Sequence, residues 1–188
     1  LASVTDVHSQ TTIFDHTPGG KVSTITRPNG VATDLTLDSV GRPRRVLHTG
    51  PSGVIAGHTY THGPDGHVSR VVEDSGRAVD YGYDGLGRVI SETTTVAAVS
   101  TSVFYTYDAG GNRTRKTTTR ADGTIETIVT TVDANDRLLR EDVTDTARTP
   151  PSYQVLYTYN GSGHTLSRTA PDESALYGYD AIGRLTSA

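Results

Sequence analysis

The stretch Tyr81-Gly-Tyr-Asp-Gly-Leu-Gly-Arg-Val89 contains, in nine residues, the pattern that decides the fold of this chain. Two tyrosines separated by one residue place both rings on the same face of an extended strand, because successive side chains alternate. The Asp-x-x-Gly segment favours a tight turn, since the aspartate accepts a hydrogen bond from a backbone N–H two residues on and glycine permits a positive φ. Arg-Val then begins a return strand, so the stretch predicts a β-hairpin.

The same pattern recurs along the whole chain of 188 residues, with the consensus Tyr-x-Tyr-Asp-x-x-Gly-Arg-Val/Leu. Nine of the ten tyrosines occupy its two Tyr positions. Eight copies at irregular steps of 20 to 27 residues indicate a fixed unit joined by turns of variable length. Besides 81–89, close copies are 105–113 and 177–185, and weaker ones are 13–22, 35–43, 60–68, 130–138 and 157–165.

A second turn signal separates most copies, for instance Pro28-Asn-Gly30 and Asp74-Ser-Gly76. Each unit therefore predicts two strands, and the fold class is all-β: a continuous antiparallel β-meander of about sixteen strands in about eight hairpins that form a curved strip. We expect over half of the residues in strands and no helix longer than about two turns. Residues 1–12 are expected to be an N-terminal strand or linker, and 13–188 the repeat array.

Composition excludes several classes of protein. The formal charge of −4 and the pI of about 5.9 argue against a nucleic-acid-binding surface, which needs clustered positive charge. Cysteine is absent, so disulfides, thiolate metal sites and cysteine nucleophiles are excluded. No apolar run is long enough for a membrane-spanning helix. An apolar fraction of 34% predicts a sheet with little two-layer core.

The residues that repeat are expected to be structural. An alternative function for the repeated aspartates is acid–base catalysis or calcium binding, but capping of one turn in each hairpin explains all of them together. No nucleophile-elbow, phosphate-loop or dinucleotide-binding motif occurs, so we predict no catalytic, cofactor or metal site. The motif residues are Tyr81, Tyr83, Asp84, Gly87, Arg88, Tyr105, Tyr107, Asp108, Gly111, Tyr157, Tyr159, Gly163, Tyr177, Tyr179, Asp180, Gly183 and Arg184.

Two groups of basic residues leave alternatives open. The arginine that follows the turn glycine could form an anion-binding row, but aspartates of neighbouring repeats favour ion-paired rungs between repeats. His62 and His67 could face each other across a hairpin, near His58, although two ligands would leave a metal site incomplete. The arginines concerned are Arg42, Arg88, Arg137 and Arg184.

The copies at 81–89 and 177–185 resemble the YD repeat of rearrangement-hotspot (Rhs) proteins, a family that includes bacterial wall-associated proteins, toxin-complex components and teneurins. The resemblance covers residues 13–188. It implies a β-strip that spirals into a hollow shell, which in bacterial members encloses a C-terminal toxin domain. The self-cleaving Asp-Pro-x-Gly-Leu motif of such proteins is not found in this sequence. We therefore expect the chain to be part of a longer polypeptide.

These expectations define two functions. The first is a non-catalytic segment of an Rhs shell, secreted or surface-associated in a bacterium, whose partners are further YD repeats and a toxin domain of its own polypeptide. The alternative is a cell-surface module that binds glycans or proteins through exposed tyrosine rows. For either function, Tyr81, Tyr105, Tyr157 and Tyr177 should occupy one face. The copy at 130–138, which lacks both tyrosines and the glycine, should be the least regular.

Overall fold

The computed structural model describes residues 2–188, and this part of the chain consists of strands and turns without a helix. Strands hold 59% of the residues. Accordingly, the described residues include no helix long and apolar enough to cross a membrane. The strands are β1 (Ser3–Thr5), β2 (Thr11–His16), β3 (Val22–Thr26), β4 (Ala32–Leu37), β5 (Pro43–Gly50), β6 (Gly53–His62), β7 (Val68–Glu73), β8 (Ala78–Tyr83), β9 (Val89–Val96), β10 (Val99–Tyr107), β11 (Arg113–Thr119), β12 (Ile125–Val132), β13 (Leu138–Asp145), β14 (Ser152–Tyr159), β15 (Thr165–Thr169), β16 (Ser174–Leu176), β17 (Gly178–Tyr179) and β18 (Leu185–Ser187).

The strands β1 to β16 form one antiparallel sheet in which the order in space is the order in sequence. The strands β17 and β18 pair with each other in a sheet of their own. The predicted all-β meander is therefore confirmed. The chain also divides into two compact units: the described residues up to Gly82 with Thr94–Val99, and Tyr83–Thr93 with Ser100–Ala188.

Each copy of the motif builds the same turn. In the copy at 81–89, the backbone N–H of Asp84 donates to the carbonyl of Arg88 at 3.0 Å, and the N–H of Gly87 donates back to the carbonyl of Asp84 at 3.0 Å. Gly87 has a φ of +76°, a region that favours glycine. The same pair of hydrogen bonds closes all eight copies, in turns that start at Thr17, Asp38, Gly63, Asp84, Asp108, Asp133, Asn160 and Asp180.

The expectation that the copy at 130–138 is the least regular is wrong for its backbone. Asp133 and Asp136 form the same turn hydrogen bond, at 3.1 Å, and β12 and β13 pair over seven residues of β12, from Glu126 to Val132. Asp136 replaces the turn glycine at a φ of 60°, which aspartate tolerates better than most residues. The last copy has shorter strands than this one: β17 and β18 contain two and three residues.

The connection from β9 to β10 is a turn without any of the turn signals found elsewhere in the sequence. Ala97 and Ala98 have φ values of 48° and 66°. Two successive residues with positive φ are typical of the tight two-residue hairpin, whose usual residues are asparagine and glycine. The segment 96–99 is thus a tight turn built without asparagine or glycine.

The sheet has little core. Four apolar side chains are buried among the described residues: Ala78, Val79, Val143 and Val155. Tyr105 and Tyr157 lie on the same face in the second unit, because cross-strand partners share a face and side chains alternate along β14. The pairings that join them run through Lys116, Ile128, Val143 and Tyr153.

Candidate functional site

The motif aspartate caps its own turn. The Oδ1 atom of Asp84 accepts hydrogen bonds from the backbone N–H groups of Leu86 at 2.9 Å and Arg88 at 3.0 Å. Its Oδ2 atom accepts a third from the Nε of Arg88 at 2.7 Å. One carboxylate thus satisfies two backbone donors and one guanidinium. The same three bonds recur at Asp38, Asp133 and Asp180.

The expectation that motif arginines form ion pairs with aspartates of neighbouring repeats is wrong. Each pairs with the aspartate four residues earlier in its own turn, at 2.7 Å in the case of Arg42 and Asp38. The tight turn is the physical reason, since it brings the start of the return strand beside the residue that opened the turn. The other three pairs are Arg88–Asp84, Arg137–Asp133 and Arg184–Asp180.

These hydrogen bonds hold the aspartates in their charged form. The backbone N–H of Arg42, followed by its side chain, lowers the pKa of Asp38 from 3.8 to about 2. The backbone N–H and the guanidinium of Arg88 lower the pKa of Asp84 in the same direction. Hydrogen bonds to a carboxylate favour its charged form, so these pKa shifts follow from turn geometry and do not indicate catalytic groups.

Three copies replace members of the pair and keep a side-chain cap; in the first of them Oγ1 of Thr17 accepts from the N–H of Lys21 at 3.3 Å. In the copy at 105–113, Asn112 stands in for the arginine and donates from Nδ2 to Oδ2 of Asp108 at 3.1 Å. In the copy at 157–165, Asn160 stands in for the aspartate, and its Oδ1 accepts from the N–H of His164 at 2.9 Å. The cap therefore needs an oxygen rather than a charge. The copy at 60–68, with Gly63 at the first position, closes its turn without a cap from that position.

A second contact joins some repeats to the next one. The guanidinium of Arg88 lies over the ring of Tyr107, with its carbon 4.7 Å from the ring centre. The hydroxyl of Tyr107 donates to the carbonyl of Val89 at 2.7 Å. We call this arrangement a complete rung: a motif arginine, the carbonyl of the residue after it, and the second tyrosine of the following copy.

The complete rung recurs later in the second unit. The guanidinium carbon of Arg137 lies 5.1 Å from the ring centre of Tyr159, whose hydroxyl donates to the carbonyl of Leu138 at 2.8 Å. In the last copy a histidine takes the arginine's place, and the rings of His164 and Tyr179 stack at 4.7 Å. The second tyrosine of the motif thus covers the basic residue of the preceding turn.

The first tyrosines have other partners. Tyr105 lies under the guanidinium of Arg113 at 4.9 Å, and the hydroxyl of Tyr157 donates to Glu141 at 2.9 Å. The N–H of Tyr177 donates to the carbonyl of Leu166 at 2.9 Å. All ten tyrosines, including Tyr81 and Tyr83, are half-buried, so none forms an exposed aromatic row.

Four copies lack the second tyrosine. The three of them that follow another copy each leave a cavity beside the preceding turn. Leu37 faces a cavity of about 360 Å³ with Lys21, and His62 faces one of about 400 Å³ with Arg42. Val132 faces a third, of about 390 Å³, with Arg113. We call these open rungs. Sequence reasoning missed them, although the missing tyrosine at the third motif position was a signal that could have located them.

The histidines do not meet as the sequence suggested. His62 pairs across the hairpin with Val68, and the register shifts between Thr61 and His62. His67 instead lies 3.0 Å from Asp65 within the same turn. Among residues 2–188, no three histidine, cysteine or acidic side chains come together as a metal-binding group.

Comparisons with known proteins identify the repeat and the fold. Residues 64–99 match the family model described as RHS Repeat, which confirms the resemblance. The crystal structure of TcdB2-TccC3-Cdc42 contains a similar fold, with a TM-score of 0.72 and 16% identity over 92% of this chain and 10% of that chain. For TcdB2-TccC3-TEV the values are 0.54 and 11%, over 97% of this chain and 13% of that chain. This chain thus spans about a tenth of the solved chain with the higher TM-score. No curated protein sequence matches it.

Proposed function

We propose that this chain, whose residues 64–99 are an Rhs repeat, is a non-catalytic structural segment of an Rhs/YD-repeat shell. In this proposal residues 13–188 are the array, and the motif residues from Tyr81 to Arg184 hold it together. The shell encloses a toxin domain of the same polypeptide and helps to deliver it. Its location is outside the cell or at the surface of a bacterium.

The complete rung is the observation that supports this proposal most strongly. A wall one sheet thick has no second layer to pack against, so its cohesion depends on ladder hydrogen bonds and on side-chain contacts along one face. Arg88 with Tyr107 and Arg137 with Tyr159 supply such contacts between successive repeats. The motif aspartates are hydrogen-bonded within the turn caps, and the second tyrosines are bonded within the rungs. Few of the repeated polar groups are therefore left for catalysis.

The state of the tyrosines argues against a glycan-binding module. A sugar-stacking surface needs exposed ring faces, as in other ligand sites built on aromatic side chains. The rings of Tyr107 and Tyr159 are covered by guanidinium groups, and their hydroxyls are bonded to backbone carbonyls. These tyrosines are therefore better suited to stabilising the sheet than to binding a sugar.

Limited proteolysis of the natural polypeptide that carries this chain tests the proposal. We expect a region outside residues 13–188 to resist protease while the array is intact, and to be digested once Tyr107 and Tyr159 are both replaced by alanine. A control with Tyr105→Phe should keep the resistance. If every region is digested equally fast with and without the two substitutions, nothing is enclosed and the proposal is wrong.

A further inference from the structure

The open rung at Val132 differs from the complete rungs in one side chain and in what its cavity contains. In complete rungs the equivalent position holds a phenol ring that reaches the preceding turn. The side chain of Val132 is shorter than that of tyrosine, and a cavity of about 390 Å³ remains beside it. Its apolar wall is formed by Val132, Ile128 and Leu138. That volume lies within the range of about 300–1,000 Å³ found for small-ligand pockets.

Two cations line the same cavity without an acidic partner. Within the described part of the chain, neither Lys116 nor Arg113 forms a salt bridge, whereas eleven of the fifteen arginines do. The one acid on the cavity wall, Glu141, accepts the hydroxyl of Tyr157 at 2.9 Å. The cavity is therefore apolar on one side, and its charged side carries two cations and one carboxylate, which is hydrogen-bonded to Tyr157.

The backbone acceptor that a tyrosine would use is already occupied. In the open rung, Arg113 occupies the position that Val89 and Leu138 have in the complete rungs. Its carbonyl accepts a hydrogen bond from the hydroxyl of Thr130. A ligand ring that enters the cavity therefore does not need a phenol hydroxyl. It needs a group that Lys116 and Arg113 can bind, and carboxylates form strong charge-assisted hydrogen bonds with both.

We propose that the open rung at Val132 is a binding site for a small aromatic carboxylate. The ring fills the space of the absent tyrosine, against Val132 and Leu138. The carboxylate lies against Lys116 and Arg113. This site goes beyond the structural role proposed above, since a shell segment needs no ligand.

The other two open rungs fit this ligand less well. At Leu37, the ammonium of Lys21 donates to the carbonyl of Val40 at 3.1 Å. At His62, the guanidinium of Arg42 is paired with Asp38 at 2.7 Å. Arg44 also lines the cavity at His62 and forms no salt bridge among the described residues, but no valine, leucine or isoleucine lines that cavity. Of the three cavities, the one at Val132 combines cations without a salt bridge with an apolar wall.

Titration of the isotope-labelled chain with phenylacetate, followed by nuclear magnetic resonance, tests the proposal. We expect saturable shifts in residues 113–116 and 128–132, with a dissociation constant in the millimolar range. Acetate, which lacks the ring, and benzyl alcohol, which lacks the charge, should each bind about tenfold more weakly, as expected when a charged hydrogen bond or buried apolar area is lost. Equal binding of all three probes would overturn the proposal.

Three variants locate the site. Val132→Tyr should fill the cavity, and Lys116→Met should remove its charge, and each should weaken phenylacetate binding about tenfold or more. Arg115→Met is the matched control, because Arg115 is exposed and pairs with Val129 on the opposite face of the same strands. Binding by Arg115→Met should stay within about twofold of the unchanged chain. Absence of saturable shifts, or full binding by folded Val132→Tyr, would show that no such site exists.

Discussion

The complete rung at Tyr107 and the open rung at Val132 lie in the same unit and follow turns of the same geometry. Both are preceded by an Asp-capped turn, at Asp84 and Asp108. Only the first has a ring that joins it to the preceding repeat. The comparison shows that the motif performs two separable tasks: aspartate and glycine make the hairpin, and the second tyrosine joins one hairpin to the next.

The sequence of the copy at 130–138 supports this separation. It has lost both tyrosines and the glycine, and its turn is nevertheless formed, with Asp133 as the cap and Asp136 at positive φ. What it lacks is the aromatic ring beside the preceding turn, and the hydroxyl of Thr130 donates to the carbonyl there in place of a tyrosine hydroxyl. Local turn chemistry therefore tolerates loss of the rung.

The largest loss of stability is expected from a substitution that strains the turn of a complete rung. Gly87→Val forces a β-branched residue to a φ of +76°, and should lower the free energy of unfolding by roughly 1–3 kcal/mol. Gly85→Val is the matched control, since it lies in the same turn without positive φ and a Cβ there also meets nothing within 4 Å. Urea denaturation compares the two. Equal losses would mean that backbone conformation at Gly87 is unimportant.

A smaller effect is expected from weakening a complete rung. Tyr159→Phe removes the hydroxyl that donates to Leu138 at 2.8 Å, and should cost about 0.5–1.5 kcal/mol. Tyr105→Phe, where the ring contact is with Arg113, should cost less, because no partner for its hydroxyl is described. The difference between the two urea midpoints is the measurement. If Tyr105→Phe costs as much as Tyr159→Phe, the carbonyl contact does not contribute.

Completing the open rung should stabilise the chain. Val132→Tyr places a ring beside Leu138 and Arg113 and should raise the free energy of unfolding by about 0.5–1 kcal/mol, as cross-strand aromatic pairs do. Val129→Tyr adds the same ring on the opposite face, where Val129 is 38% exposed, and should change little. Thermal melts of both variants check this, and a loss of stability in Val132→Tyr would contradict it.

The smallest effect concerns the charge in the turn cap. The pKa of Asp38 is about 2 in the folded chain, below its usual 3.8. Its contribution to stability is thus fully present above about pH 4 and is lost as the pH falls through about 2. Asp38→Asn keeps an oxygen that can cap the turn, as Asn160 does, and should flatten the decline between pH 4 and pH 2. Denaturant midpoints across this range measure it; an unchanged decline would show that Asp38 carries no pH-dependent stability.

Local pattern made much of this fold predictable. Tyr-x-Tyr alternation, Asp-x-x-Gly turns and the lack of helical periodicity depend on residues close in sequence, so the meander and its eight motif turns could be inferred. The turn at Ala97 and Ala98 could not, because alanine rarely adopts positive φ and the cause lies in the strands that it joins.

The contacts of the candidate site were harder to infer. Whether Arg88 pairs with its own aspartate or with that of the next repeat depends on the register and on where the return strand begins. The complete rung joins Arg88 to Tyr107, which lies 19 positions later in the chain. Such contacts can be inferred only when the positions of β9 and β10 are known. The cavity beside Val132 likewise can be inferred only when the positions of the strands around it are known.

A double-mutant cycle on Arg88 and Tyr107 tests the central claim most directly, namely that each arginine and the tyrosine of the next repeat act as a pair. Free energies of unfolding are measured for Arg88→Met, Tyr107→Leu, the double variant and the unchanged chain. The rung predicts a coupling of about 0.5–1 kcal/mol. The matched cycle on Arg113→Met and Val132→Leu, across the open rung, should give a coupling near zero. Additive losses at Arg88 and Tyr107 would contradict the account, because the two side chains would then stabilise the sheet independently.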